Sequence, residues 1–192
     1  MSTLTLCGYG LAARGLRLTW ADVPYQGYDR ELTIEPGFDF FQDDGTELWR
    51  LQHASLDRHV YSTSVDEVRS LRDAFATWGR FFDVLRVRVY TEAMMNSTWL
   101  RHLPDAIESP DAPFTILGFD CGWLLGRHSA IYQPGFMERQ SPEVRASWAT
   151  RVNGNGLFSH IRVCQEFRAL FYTMPDRESG DFEILEVAQL ES

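Results

Sequence analysis

Residues 64–89 read SVDEVRSLRDAFATWGRFFDVLRVRV, and this stretch joins a helical pattern to a strand pattern. Ser64 and Glu67 have the spacing of a capping box, in which the serine hydroxyl accepts a hydrogen bond from a backbone amide and the glutamate reaches back. Apolar residues then recur at steps of three and four, as on one side of a helix. They are Val65, Val68, Leu71, Phe75 and Trp78. After Gly79, the alternation LRVRV over residues 85–89 predicts a strand with one face in solvent.

The remainder of the chain adds strands at both ends. Residues 1–62 are predicted to be rich in β-structure, because apolar and polar residues alternate at Leu4/Leu6, Leu16/Leu18/Trp20, Leu32/Ile34 and Trp49/Leu51. Further strands are predicted at residues 114–119 and 182–190, and helices at residues 142–152 and 159–172. The sequence therefore predicts one α+β domain over residues 1–192, with a mainly antiparallel sheet and three or four helices packed on it.

The composition excludes several classes of function. The chain has 192 residues and a formal net charge of −9, which disfavours binding to nucleic acid or to an anionic membrane surface. All 18 basic residues are arginine, so chemistry that needs a lysine, such as a Schiff base or a P-loop, is excluded. No secretion signal and no membrane-spanning stretch is expected from the apolar pattern, which predicts a cytoplasmic protein.

Three groups of residues suggest chemistry only weakly. Residues 8–13 match the G-x-G-x-x-A pattern of dinucleotide sites, but Gly15 interrupts the helix that such a site requires, and a glycine-rich hairpin turn is predicted instead. The three cysteines are far apart in the sequence, and the five histidines lack metal-ligand spacing, so neither a disulfide framework, a metal site nor a cofactor is predicted.

Two alternatives to a protein-binding function stay open at this point. Cys121 follows an aspartate and is a candidate nucleophile for a thiol-dependent hydrolase, with a histidine as base. Alternatively, Trp20, Trp49 and Trp123 are candidates to line the pocket of a small-ligand binding module.

Acidic residues are concentrated in three segments. Residues 29–47 hold seven carboxylates and one arginine, residues 105–120 hold four carboxylates and no arginine, and residues 176–192 hold six carboxylates and one arginine. Aromatic residues lie among the carboxylates of the first segment, and Trp123 follows the second. Such a combination is typical of a protein-binding surface, with desolvated rings at its centre and charges at its rim.

The second half of the chain resembles a known class of proteins. FTILGFD at residues 114–120, a loop reaching Tyr132, a helix, and NGLF at residues 155–158 before another helix are similar to bacterial immunity proteins of polymorphic toxin systems. The similarity covers roughly residues 113–190. It implies a protein without enzymatic activity that neutralises a cognate toxin of a contact-dependent or type VI secretion system.

The resemblance, the acidic charge and the expected cytoplasmic location together predict the partner. A nuclease or a nucleotide-targeting toxin acts inside the cell, and a nuclease needs basic residues to hold phosphates, which an acidic inhibitor complements. We expect the toxin to contact the following residues: Asp39, Phe40, Phe41, Asp43, Asp44, Glu47, Asp120 and Trp123.

The paired substitution Asp43→Arg/Asp44→Arg tests this surface. We expect slower association with the toxin and a weaker dependence of the association rate on salt, because the substitutions reverse charges that would steer a basic partner. Stopped-flow or surface-plasmon kinetics at two salt concentrations measure both effects. Unchanged kinetics would remove residues 39–47 from the interface.

Overall fold

The computed structural model describes residues 4–13, 62–77, 81–91, 107–123, 128–130, 140–175 and 182–191. Its strands are β1 (Leu4–Ala13), β2 (Phe82–Tyr90), β3 (Phe114–Trp123), β4 (His128–Ser129) and β5 (Phe182–Leu190). Its helices are α1 (Val65–Ala76), α2 (Pro142–Ala149) and α3 (Ile161–Tyr172). The strands form one antiparallel sheet in the order β1-β2-β5-β3-β4, so the predicted α+β class is confirmed.

Strand β1 corrects the predicted glycine-rich turn. Gly8 and Gly10 lie inside the strand, and both pair with residues of β2. The register shifts between Leu6 and Gly8, and Gly8 has a φ of 141°, which a glycine adopts without strain. The glycine therefore permits a bulge within a continuous strand. The predicted turn at residues 8–13 is wrong because a glycine pattern carries no information about pairing with a distant strand.

The predicted start of α1 is correct at Ser64, but the capping contacts differ from a simple capping box. The Ser64 hydroxyl accepts from the amide of Asp66. Glu67 accepts a hydrogen bond of 2.6 Å from the Ser62 hydroxyl, and Ser62 Oγ in turn accepts from the Ser64 amide. Glu67 thus acts through Ser62, whose hydroxyl accepts from the Ser64 amide. In a simple capping box the glutamate itself would accept from that amide.

On the helix face of the sheet, the described residues form two apolar clusters. Beside α1, the first cluster contains buried residues from the helix and from three strands: Tyr9, Leu11, Val65, Val68, Leu71, Phe75, Phe82, Val84 and Leu190. Beside α2 and α3, the second contains Cys121, Ala130, Trp148, Phe158, Cys164, Phe167, Phe171, Phe182 and Ile184. Cross-strand pairs place the strand residues of both clusters on one face of the sheet. Between them, the same face of the sheet carries the charged residues Arg86, Arg88 and Glu186.

The edge of β3 is covered by the loop that links α2 to α3. Phe119 and Phe158 exchange two backbone hydrogen bonds of 2.8 and 2.9 Å, and Asn153 donates to the carbonyl of Leu117. Predicted helix residue Val152 lies beyond the end of α2 and forms an isolated bridge with Phe158. The loop therefore continues the sheet by one short pairing and satisfies backbone groups that an open edge would expose.

Gly118→Ala tests how much this close packing contributes. Gly118 has a φ of 151°, and an added Cβ would lie 2.7 Å from the carbonyl oxygen of Phe158. We expect the free energy of unfolding to fall by about 2–4 kcal/mol, because backbone strain and overpacking add. Gly154→Ala is the matched control: its added Cβ has no neighbour within 4 Å, so we expect a change below about 0.5 kcal/mol. Urea unfolding measures both, and equal stabilities would contradict the expected clash.

Candidate functional site

Where the two apolar clusters meet, the helix face of the sheet contains two rows of paired residues, which we call the central floor. One row is Tyr9, Arg86, Ala188 and Ile116, and the other is Leu6, Arg88, Glu186 and Phe119. Residues paired directly across antiparallel strands share a face, so all eight belong to the same face as the helices. Its three charged members, Arg86, Arg88 and Glu186, lie on the two central strands between apolar neighbours.

A nearly buried carboxylate lies in the middle of the central floor. Glu186 on β5 accepts from Nε of Arg88 at 2.8 Å, and Nη2 of Arg88 contacts the same oxygen. Arg86 Nη2 lies 3.8 Å from that oxygen. The two arginines were predicted to face solvent, but neither is exposed, because pairing with Glu186 compensates their charge within the sheet.

Arg86 is the less completely paired of the two arginines. Its side chain is only 13% exposed, and its guanidinium carbon lies 4.7 Å from the centre of the Phe114 ring. Nη1 donates to Glu108 at 3.4 Å, whereas Nε is buried and has no hydrogen-bond acceptor in the described residues. A buried guanidinium with an unused donor is uncommon, since buried polar groups are usually satisfied.

Tyr9 ties the segment before β3 to the central floor. Its hydroxyl donates to the carbonyl of Ile107 at 3.0 Å and accepts from the amide of Ser109 at 3.1 Å. Burial raises the pKa of Tyr9, and the negative charge of Glu108 adds to the increase. The hydroxyl therefore remains a donor well above neutral pH, and both contacts hold residues 107–109 against the sheet.

Residues 107–116 begin at this tether and run into β3, and their exposed apolar and acidic side chains are called here the 107–116 patch. Ile107 is 72% exposed and Ile116 is 52% exposed, both unusual for large aliphatic side chains. Glu108 and Asp111 are also exposed on the same segment. Exposed aliphatic and acidic residues thus alternate along this part of the chain, in the second of the three acidic segments.

A separate cleft of about 420 Å³ lies between α1 and the neighbouring strand ends. Its described lining includes Arg69, Arg72, Phe81, Phe82 and Leu190. Both arginines already pair with aspartates of α1, Asp66 and Asp73, at 3.1 and 2.8 Å. Each of these two arginines thus has an acidic partner among the residues that the structure describes.

The described site residues differ from the predicted partner surface. Asp39, Phe40, Phe41, Asp43, Asp44 and Glu47 lie outside the described residues, as do Trp20 and Trp49. Of Trp123, the structure describes the backbone at the end of β3. Asp120 is only 3% exposed, so its carboxylate does not form part of the protein surface. In the acidic tail, Glu183 and Glu186 are also buried, which the charge count did not reveal.

All three cysteines are free and buried, including the candidate nucleophile Cys121. Burial raises the pKa of Cys121 well above its ordinary value, and the adjacent Asp120 raises it further, with Arg168 opposing them. Burial raises the pKa values of Cys7 and Cys164 as well. A buried, protonated thiol is a poor nucleophile, so this arrangement does not support the hydrolase alternative.

Within the ranges that the structure describes, no cluster of three or more histidine, cysteine, aspartate or glutamate residues has metal-binding geometry. None of the helices there is long and apolar enough to cross a membrane. No protein-family model matches the chain, and neither a curated protein nor a solved structure matches it.

Thiol labelling tests the state of the cysteines. We expect Cys7, Cys121 and Cys164 to react with a disulfide reagent at least about a hundredfold more slowly in the folded protein than in denaturant, because each must first be exposed by unfolding. Mass spectrometry of the labelled protein identifies each site. Rapid labelling of Cys121 alone, with the fold intact, would restore it as a candidate nucleophile.

Proposed function

We propose that the protein is a cytoplasmic immunity protein that binds a cognate secreted antibacterial toxin and blocks its active site. The resemblance of residues 113–190 to such proteins suggests the class of function. The observation that carries the proposal is the 107–116 patch, in which Ile107 and Ile116 are exposed beside Glu108 and Asp111. An apolar centre with charged neighbours is what a protein-binding hot spot requires.

Charge supports a basic partner. The chain has a formal net charge of −9, and the described patch adds carboxylates around its apolar side chains. A basic toxin, such as a nuclease with a phosphate-binding surface, would approach this surface faster than a neutral protein. Complementary charge contributes mainly to the association rate and to the choice of partner. Ile107 and Ile116 would be buried only in the complex, and there they would lengthen its lifetime.

The patch is also suited to binding because its backbone is held in place. Ile107 donates from its amide to the carbonyl of Thr63, just before α1, and its own carbonyl accepts from Tyr9. Ile116 lies within β3, whose neighbour β5 pairs along its length. A surface on a preorganised backbone loses less conformational entropy on binding than a mobile loop does.

The first experiment identifies the toxin. The tagged protein captures partners from host cells that express the neighbouring genes, and bound chains are identified after washes at low and high salt. We expect one basic, toxin-like polypeptide in a near-equal molar amount. If no such polypeptide is retained although the neighbouring genes are expressed, the proposed function is wrong.

A second experiment locates the interface on the patch. We expect Ile107→Ser/Ile116→Ser to weaken toxin binding about tenfold or more, because the two isoleucine side chains would no longer bury apolar surface against the toxin. Phe81→Ser is the matched control, since Phe81 is 59% exposed and lines the separate cleft beside α1. Titration calorimetry measures the affinities. An equal loss in the control, or no loss in the double variant, would exclude the patch as the contact surface.

A further inference from the structure

Two arginines of the central floor direct donors at a single point. Arg86 and Arg88 are alternate residues of β2 and therefore project from the same face. Oε1 of Glu108 lies 3.4 Å from Nη1 of Arg86 and 3.9 Å from Nη1 of Arg88. The two guanidinium groups thus converge on one carboxylate oxygen at the boundary between the sheet and solvent.

Glu108 occupies this point loosely. Charge-assisted hydrogen bonds between arginine and a carboxylate are usually about 2.7–2.9 Å long, and both contacts of Glu108 exceed that range. The Glu108 side chain is 48% exposed and belongs to the segment before β3 rather than to the sheet. Glu186, by contrast, is nearly buried and accepts from Arg88 Nε at 2.8 Å. Of the two carboxylates, Glu108 is therefore the exchangeable one.

The charges show what would remain if Glu108 moved away. Arg86 and Arg88 carry two positive charges, and Glu186 compensates one of them at close range. Arg86 would then lose the one hydrogen bond that it makes among the described residues, the 3.4 Å contact to Glu108, while its guanidinium stays packed on Phe114. A mostly buried guanidinium without an acceptor is costly, so an anion at this position is favoured.

We propose that Arg86 and Arg88 form a binding site for an external oxyanion, either a carboxylate or a phosphate group of a small acidic ligand, and that Glu108 occupies the site until the ligand displaces it. Arginine side chains suit this role because their planar donor groups match the oxygens of both kinds of anion. The proposal does not rest on the proposed function, because no partner protein is needed to fill the site.

The test compares binding of succinate and of inorganic phosphate by the intact protein at constant ionic strength. Nuclear magnetic resonance follows the Nε–Hε signals of the arginine side chains during each titration. We expect Glu108→Gln to lower the dissociation constant for at least one anion about threefold to fivefold, because it removes a competing exposed carboxylate. The signals of Arg86 and Arg88 should shift most.

Glu166→Gln is the matched control. Glu166 is an exposed glutamate on α3 that pairs with Arg151 at 3.1 Å, so its replacement changes the net charge equally at a different place. We expect this variant to bind both anions as the unsubstituted protein does. A stronger effect with succinate assigns the site to carboxylates, and a stronger effect with phosphate assigns it to phosphoryl groups.

Three results would overturn the proposal. The first is that neither anion shifts the Arg86 and Arg88 signals in any of the proteins. The second is that Glu108→Gln and Glu166→Gln strengthen binding equally, which would indicate only a change in overall charge. The third is weaker binding in Glu108→Gln. Circular dichroism verifies the fold of each variant, and Glu108→Ala repeats the test if the glutamine makes a new contact with the arginines.

Discussion

The ion pair between Arg88 and Glu186 is the polar contact at the centre of the sheet, and it lies between the two apolar clusters. It joins β2 to β5 near the middle of the sheet, between the apolar cluster of α1 and that of α2 and α3. A carboxylate buried at this position requires cationic partners, because removing one member of a buried pair leaves a charge without compensation. The polar pair thus interrupts the apolar face of the sheet between the two cores.

This interruption explains where the candidate surfaces lie. The segment before β3 meets the sheet at the central floor, where Tyr9 holds its backbone and Arg86 contacts Glu108. Ile107 in this segment and Ile116 in β3 are both left outside the two cores, and both side chains are exposed. The proposed toxin-binding patch and the proposed oxyanion site are therefore neighbours, but they use different chemistry. One depends on burying aliphatic surface, and the other depends on two guanidinium groups.

Total charge was a poor guide to the local electrostatics of this protein. The acidic excess of the chain is real, yet Asp120, Glu183 and Glu186 are buried rather than displayed. Arg168 on α3 contacts Glu183 at 2.6 Å, as Arg88 contacts Glu186, so part of the acidic excess is used inside the fold. Composition counts charges without regard to which side of a strand they occupy, and β5 is buried along nearly all its length.

The sequence by itself determined the local elements of this protein. Periodic apolar residues specified α1 and α3, and alternation specified β2, because these patterns depend only on the geometry of each element. Tertiary structure decided the rest. Gly8 lies in a strand because β2 pairs with it, and Arg86 and Arg88 leave solvent because Glu186, distant in sequence, is their neighbour in the sheet. These contacts depend on which strands pair and in which register, and strands that are distant in the sequence must come together before either is fixed.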